Sequence, residues 1–272
     1  MSSFKNKNVL ITGGASGIGL LMAIRILKDE PNTIIIWDNN PENIESTEHK
    51  LQGSSTQITA KIVDIADPDQ IYDTAERLLN QINNIDIIIN NAGIIVGGLF
   101  SERSTEEIQQ TISINLLGAM HVSRAFLPGM HKQGAGHIVN IASAAGLMGN
   151  PRMAVYAGSK WGLIGWSESL RIELAQQKSG IKVTTVEPSY IDTGMFAGVT
   201  PPFLTPLLDP EDFAESVIEA VKSNKIHLRA PFMIKLLPFL RGVLPARIFD
   251  YVAGKLFGVY HSMDTFKGRN QS

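Results

Sequence analysis

The sequence predicts a doubly wound α/β fold: a seven-stranded, mostly parallel sheet with helices on both faces, followed by a helical extension at the C-terminus. Three observations carry this. Short apolar, β-branched runs alternate with longer amphipathic stretches along the chain. Several of the short runs are continuously apolar, as strands buried on both faces are. The connections between them are short, which is the pattern of repeated strand–helix–strand units.

Taken in order, the strands are expected at 8–12 (NVLIT), 33–38 (TIIIWD), 57–64 (QITAKIVD), 85–90 (IDIIIN), 137–142 (HIVNIA) and 182–187 (KVTTVE). A weaker seventh is KIHLRA at 225–230. Helices are expected between them at 17–29, 41–51, 68–82, 105–130, 153–178 and 211–222. Pro41-Glu42, Pro68-Asp69 and Pro210-Glu211 open three of these, because proline fits the first helical position and an acid there favours the positive end of the helix dipole. No internal repeat or linker divides the chain. A catalytic domain over 1–230 and an extension over 231–272 are therefore expected.

The 272 residues are 44% hydrophobic and 18% charged, as in an ordinary globular protein. The net charge of −2 gives no reason to expect nucleic acid. It is unevenly spread: residues 222–272 carry nine Lys or Arg against two Asp, about +7, and the remainder about −9. With no cysteine, disulfides, thiolate metal sites and cysteine catalysis are excluded, and no metal is expected. The polar start MSSFKNKN reads as neither signal peptide nor anchor, and no apolar run approaches the ~20 residues of a membrane span. A cytoplasmic protein is expected.

Candidate chemistry clusters at the predicted carboxyl ends of the strands. The first strand runs into Thr12-Gly13-Gly14-Ala15-Ser16-Gly17-Ile18-Gly19 and then a helix. A glycine-rich turn lets backbone approach a pyrophosphate, and the helix N-terminus adds N–H groups and partial positive charge. Gly13, Ser16, Gly17, Ile18 and Gly19 are thus candidate cofactor contacts. Asp38 ends the second strand; an acid there accepts from ribose hydroxyls and repels a 2′-phosphate, so NAD is expected over NADP. Asp64 and Ile65 have two readings by spacing, an edge facing the adenine or a cap before Pro68. Asn91, Ala92 and Gly93 end the fourth strand, where ligands bind in such sheets; an ordinary turn is the alternative.

Tyr156 and Lys160 lie four residues apart in a predicted helix, so both side chains share one face. A free tyrosine, with a pKa of about 10, is a poor acid or base near neutrality, and a neighbouring ammonium lowers that value. Alone, such a pair is more often a surface tyrosine beside a solvated lysine.

TGGASGIG, NNAG, Asn115 in INLLG, Ser143 in IASAAG, and Tyr156 with Lys160 stand in the order and spacing of the short-chain dehydrogenase/reductases, which the chain resembles across 8–193. The resemblance implies a Rossmann fold and a role for each residue. Tyr156 is the general acid/base. Lys160 lowers its pKa and holds the nicotinamide ribose. Ser143 orients the substrate oxygen, and Asn115 holds a water linking Lys160 to solvent. Pro188, Ile191 and Thr193 match the segment over the nicotinamide, although this chain has Pro188-Ser189 where the family usually has Pro-Gly.

IIIWDNN, HIVNIASAAG, TGMFAGV (193–199) and SMDTFKGR (262–269) are similar to the retinol dehydrogenase and 17-beta-hydroxysteroid dehydrogenase branch. That implies a lipophilic alcohol or carbonyl substrate of retinoid, steroid or fatty type, and a homodimer or homotetramer formed through the helices at 105–130 and 153–178. The start of the chain departs from branch members that carry a hydrophobic anchor. The extension, PFMIKLLPFLRGVLPARIFDYVAGKLFGVY over 231–260, interleaves apolar and basic residues. Three readings stay open for it: a lid over the substrate cleft, peripheral contact with an anionic membrane, or completion of the core or a subunit contact. Rival functions are a nucleotide-binding scaffold or membrane-docking protein without turnover, a reductase of small carbonyl compounds, and an epimerase or dehydratase.

Overall fold

The structure is a computed structural model of the chain; it describes residues 2–51 and 56–268. Seven strands form one sheet in the order β3-β2-β1-β4-β5-β6-β7. They are β1 Asn8–Thr12, β2 Thr33–Asp38, β3 Gln57–Ile62, β4 Ile87–Asn90, β5 Gly136–Ile141, β6 Ile181–Pro188 and β7 His227–Ala230. Every pairing is parallel, so the sheet goes beyond the mostly parallel one expected. The strand order reverses between β1 and β4, which opens a crevice at the carboxyl edge.

Alternation along buried strands sorts the core into two layers. Val9, Ile11, Ile34 and Ile36 face one side, with Met22, Ile26, Phe213 and Val217 packed on them from α1 (Gly17–Leu27) and α7 (Pro210–Lys222). Leu10, Ile35, Trp37 and Ile88 face the other, covered by Ile71 and Leu78 of α3 (Pro68–Leu79) and by Phe126 and Met130 of α5 (Ala119–Gln133). The run Ile34-Ile35-Ile36 is fully buried, so truncating one of these side chains to alanine costs about 2–5 kcal/mol. Asp67 and Asp209 cap α3 and α7 by accepting two backbone N–H bonds each, with Pro68 and Pro210 opening the helices.

The helix expected over 105–130 is interrupted. Thr105–Ile112 (α4) opens with a capping box between Ser104 and Glu107, and a π-helical turn, Ser113–Gly118, separates it from α5. That turn carries Asn115, whose carboxamide grips the Ile94 backbone. The third strand ends at Ile62, two residues before the expected 64, and the fourth begins at Ile87 rather than 85. Helices α2 (Pro41–Leu51) and α6 (Ala154–Gln176) lie where the amphipathic patterns place them.

After β7 the extension folds as α8 (Phe232–Val243) and α9 (Ala246–Tyr251), a π turn at Val252–Leu256 and a 3₁₀ turn at Val259–His261. Leu237, Phe249 and Ala253 bury themselves against Met148. Arg241 lies over the Trp161 ring at 3.9 Å and donates to the Leu147 carbonyl at 2.7 Å. The final four residues of the expected extension, 269–272 with Arg269, lie outside the described residues.

Candidate active site

The crevice at the carboxyl edge of the sheet is a cleft of about 300 Å³. At one end it is lined by Gly13, Ser16, Gly17 and Ile18. Asp38, Asp64 and Ile65 follow, then Asn91, Ala92 and Gly93, and at the far end Ser143, Tyr156, Lys160, Pro188, Ile191 and Thr193. Two of the residues singled out in the sequence, Gly19 and Asn115, are not part of this wall and sit behind it.

The turn after β1 has its shape for steric reasons. Gly13 has φ +59°, and a Cβ there would stand 2.8 Å from Ala92 Cα. A Cβ on Gly19 would collide with the Gly13 carbonyl and crowd the Asn91 amide, so Gly19 serves close packing of helix on turn. Asn91 ties the same turn down, donating to the carbonyls of Thr12 (3.0 Å) and Gly13 (2.9 Å), while Thr12 Oγ1 accepts from the N–H groups of Asn91 and Ala92. The first turn of α1 has no acidic residue, and the Ser16 side chain makes no cap bond. The helix therefore presents uncapped amides and the positive end of its dipole to the cleft.

Asp38 is buried; its carboxylate accepts from Ala15 N and Asn40 N, both at 3.1 Å. Asn39, Asn40 and Asn43 complete that end and are neutral, and among the described lining residues Lys160 is the one cationic side chain. Asp64 accepts from Ala66 N at 2.9 Å and lines the cleft, whereas the cap before Pro68 is Asp67. This donor and acceptor set fits a dinucleotide: open amides and glycines for the pyrophosphate, a carboxylate for ribose hydroxyls, and no cation for a further phosphate.

At the other end, α6 brings Tyr156 and Lys160 to one face, and the turn after β5 brings Ser143 opposite. All three are buried. Lys160 Nζ donates to the Ile141 carbonyl at 2.8 Å and stands 5.8 Å from the Tyr156 ring centre. Asn115 accepts from Ile94 N (2.8 Å) and donates to Ile94 O (2.9 Å) and to Ser159 Oγ (3.1 Å). A Cβ on Gly93 would lie 3.2 Å from Asn115 Oδ1 and 3.5 Å from Lys160 Nζ, so Gly93, Asn115 and Lys160 converge.

The expected lowering of the tyrosine pKa is outweighed in the protein by burial. Burial pushes the Tyr156 phenol up to about 12, opposed by hydrogen bonding with Ser143 and reinforced by Tyr190. Burial pulls Lys160 down to about 8. The phenol is therefore held protonated near neutral pH.

Several lining residues escaped the sequence reading, among them Ile94, Ile114, Met195 and Phe196. Phe196 packs edge-on to both Tyr190 (5.1 Å) and Tyr156 (6.3 Å). Met263, Ile95 and Phe266 join the same apolar cluster. The described part of the SMDTFKGR motif, SMDTFKG at 262–268, thus returns to the site from the far end of the chain. Its Ser262 bonds Tyr190 Oη at 2.8 Å, and Asn150 donates to both Tyr190 (3.0 Å) and Ser262 (3.0 Å). Thr265 Oγ1 donates to Gly198 O at 2.6 Å, and Lys267 N to Ala197 O at 2.9 Å. Two motifs of the branch resemblance were the available signals: TGMFAGV holds Met195 and Phe196, and SMDTFKGR holds Ser262, Met263 and Phe266.

Ser189, the departure from Pro-Gly, takes no left-handed φ, and its N–H donates to Ala230 O at 2.8 Å. No glycine is required there. Just upstream, the fully buried Glu187 is held by His227 at 2.8 Å and by Arg229, which fixes the base of the loop.

The chain matches the family model "short chain dehydrogenase" over residues 7–202. It is 34% identical to human epidermal retinol dehydrogenase 2 over 262 residues, covering 95% of this chain and 84% of that protein. It is 30% identical to human estradiol 17-beta-dehydrogenase 11, covering 97% and 87%, and 31% identical to human short-chain dehydrogenase/reductase 3, covering 99% and 89%. A short chain dehydrogenase/reductase from Burkholderia phymatum, solved in complex with NAD, superposes with a TM-score of 0.81 at 24% identity, covering 89% of this chain and 95% of that one.

Proposed function

This protein belongs to the short chain dehydrogenase family, in its retinol and hydroxysteroid dehydrogenase branch, and on that basis we propose that it is an NAD-dependent oxidoreductase interconverting a lipophilic alcohol and its carbonyl. The observation that carries this is the single cleft. The dinucleotide-shaped end, with Gly13, Gly17 and Asp38, and the catalytic row Ser143, Tyr156 and Lys160 line one continuous space.

NAD is favoured over NADP because Asp38 stands at the ribose end and no cation among the described lining residues accompanies it there. When bound, NAD supplies the hydride acceptor. The chain does the rest. Ser143 holds the substrate oxygen beside Tyr156. Tyr156 moves the hydroxyl proton, a contribution of ~10²–10⁴-fold for a positioned acid/base. Lys160, charged below about 8, holds the ribose and favours the phenolate. Asn115 keeps the π turn and the Ile94 backbone in place behind Lys160, where it holds the water that links this ammonium to solvent. Ile191 and Thr193 would hold the carboxamide, and Pro188 begins the segment that carries them.

The lipophilic substrate class is supported by the wall beyond Tyr156, built from Phe196, Met195, Met263 and Phe266. The molecule forms a homodimer or homotetramer through α4–α5 and α6, where Leu117 and Ile172 leave apolar surface at 41% and 48% exposure.

The test is turnover of a panel of retinol, steroid, long-chain and short secondary alcohols with NAD or NADP, followed by absorbance of the reduced cofactor. The reading predicts NAD-dependent turnover of at least one lipophilic alcohol. Preference for NADP, or turnover confined to short alcohols, contradicts it.

A further inference from the structure

Helix α8 has two apolar faces. Ile234 and Leu237 turn inward and are buried. Phe232, Leu236, Phe239 and Val243 fall at i, i+4, i+7 and i+11, a single stripe on a 3.6-residue period, on the side opposite the buried pair. They are 65%, 39%, 68% and 63% exposed. One stripe suffices to fold a helix onto a core, and no described residue covers the second. The neighbouring segments continue it. Ile248 and Tyr251 of α9 are 52% and 55% exposed, and Phe203, 65% exposed, lies against Phe257 with ring centres 6.4 Å apart.

The charges around this face are predominantly basic. Lys235 sits 5.7 Å from the Phe232 ring and Lys255 sits 5.5 Å from the Tyr251 ring, and Arg247 is exposed between them. The one acid of 231–260 is Asp250, whose carboxylate accepts the Tyr260 hydroxyl at 2.6 Å. Aromatic and aliphatic side chains edged by Lys and Arg form the composition of a helix that lies in the plane of a membrane interface. Among the described residues no helix is long and apolar enough to cross one.

We propose that α8, α9 and the loop at 203–207 form a docking face for an anionic lipid bilayer. Phe232, Leu236, Phe239 and Val243 enter the boundary between headgroups and acyl chains, and Lys235, Arg247 and Lys255 meet the phosphates. The charge distribution favours this orientation: residues 231–260 carry four Lys or Arg against one Asp, about +3, and the rest of the chain about −5, so an anionic surface attracts this side of the molecule. A second copy is a poorer occupant, because joining two such stripes brings the Lys and Arg of each together. An apolar cavity of about 70 Å³, lined by Met233, Leu240, Phe203 and Phe257, adjoins the face. The proposal stands independently of turnover.

The experiment is co-sedimentation of the full chain with phosphatidylcholine vesicles, with and without phosphatidylserine. Two variants accompany it: Phe232→Ser/Phe239→Ser, which strips the stripe, and Lys235→Glu/Arg247→Glu, which reverses the edge. Cofactor titration serves as the folding control. The proposal predicts binding to the phosphatidylserine vesicles that weakens with added salt and falls ~10-fold or more in each variant. Absence of wild-type binding, or binding unaffected by both variants, overturns it. So does a lipid-free change of oligomeric state in Phe232→Ser/Phe239→Ser by analytical ultracentrifugation, since the stripe would then be a subunit contact.

Discussion

At the Gly13–Ile18 end of the cleft, position is held by backbone. Glycines pass within van der Waals distance of neighbouring main chain, Asn91 pins two carbonyls, and Asp38 is fixed by two N–H groups. At the Phe196 end, position is held by side chains that meet across the length of the chain: Tyr190 with Asn150 and Ser262, and Phe196 between two tyrosines. A backbone cradle admits one ligand shape and tolerates few substitutions. A wall of side chains is redrawn by changing any of them. We therefore read the first end as the constant cofactor half and the second as the half that chooses the substrate, with Tyr156 at the seam.

The largest expected effect is at the seam. Tyr156→Phe should lower kcat/KM by ~10³-fold or more while leaving the cofactor dissociation constant, measured by fluorescence titration, unchanged. Next comes the cradle. Gly13→Val places a branched side chain at φ +59° against Ala92, so cofactor affinity should fall at least ~10-fold, together with the melting temperature. In Asp38→Ala the ratio of kcat/KM with NAD to that with NADP should drop by about ten-fold, with little change for the alcohol.

The pH profile sharpens the role of Ser143. On the proposed mechanism oxidation needs the phenolate of Tyr156, which burial disfavours by pushing the pKa up to about 12, and Ser143 pulls it in the opposite direction. The kcat/KM of oxidation should therefore rise with pH. In Ser143→Ala, losing the group that favours the phenolate should move that rise to higher pH. The smallest effect is expected at Ser262→Ala. Losing its bonds to Tyr190 and Asn150 should raise KM for a bulky alcohol a few-fold and leave cofactor affinity untouched. An equal loss on both sides would show that the two halves are not separate.

The same contrast explains what was legible in the sequence. The cradle is a local object: strand end, glycine turn and helix start are contiguous, and Gly13, Ser16, Gly17 and Ile18 of the motif line the cleft, with Gly19 packed behind. The strand runs are legible because burial on both faces forces continuous apolar composition. The π turn at Ser113–Gly118 was not, since the helical period runs unbroken through it and the distortion appears only when Asn115 finds the Ile94 backbone. Nor was the protonation of Tyr156. Spacing puts Lys160 beside it, but desolvation depends on everything packed around both. The Asn150–Tyr190–Ser262 cluster joins residues 40 to 112 positions apart, and no local pattern announces it.

We read cofactor binding and proton transfer as separate tasks of one cleft, joined at Tyr156. The most direct measurement is a single-turnover stopped-flow experiment on NAD-saturated protein mixed with a lipophilic alcohol, run on wild type and on Tyr156→Phe at matched cofactor occupancy. Wild type should give a burst of reduced cofactor, and Tyr156→Phe should lose it. A burst of equal rate in both, or cofactor binding with no burst in wild type for any alcohol of the panel, would contradict this reading.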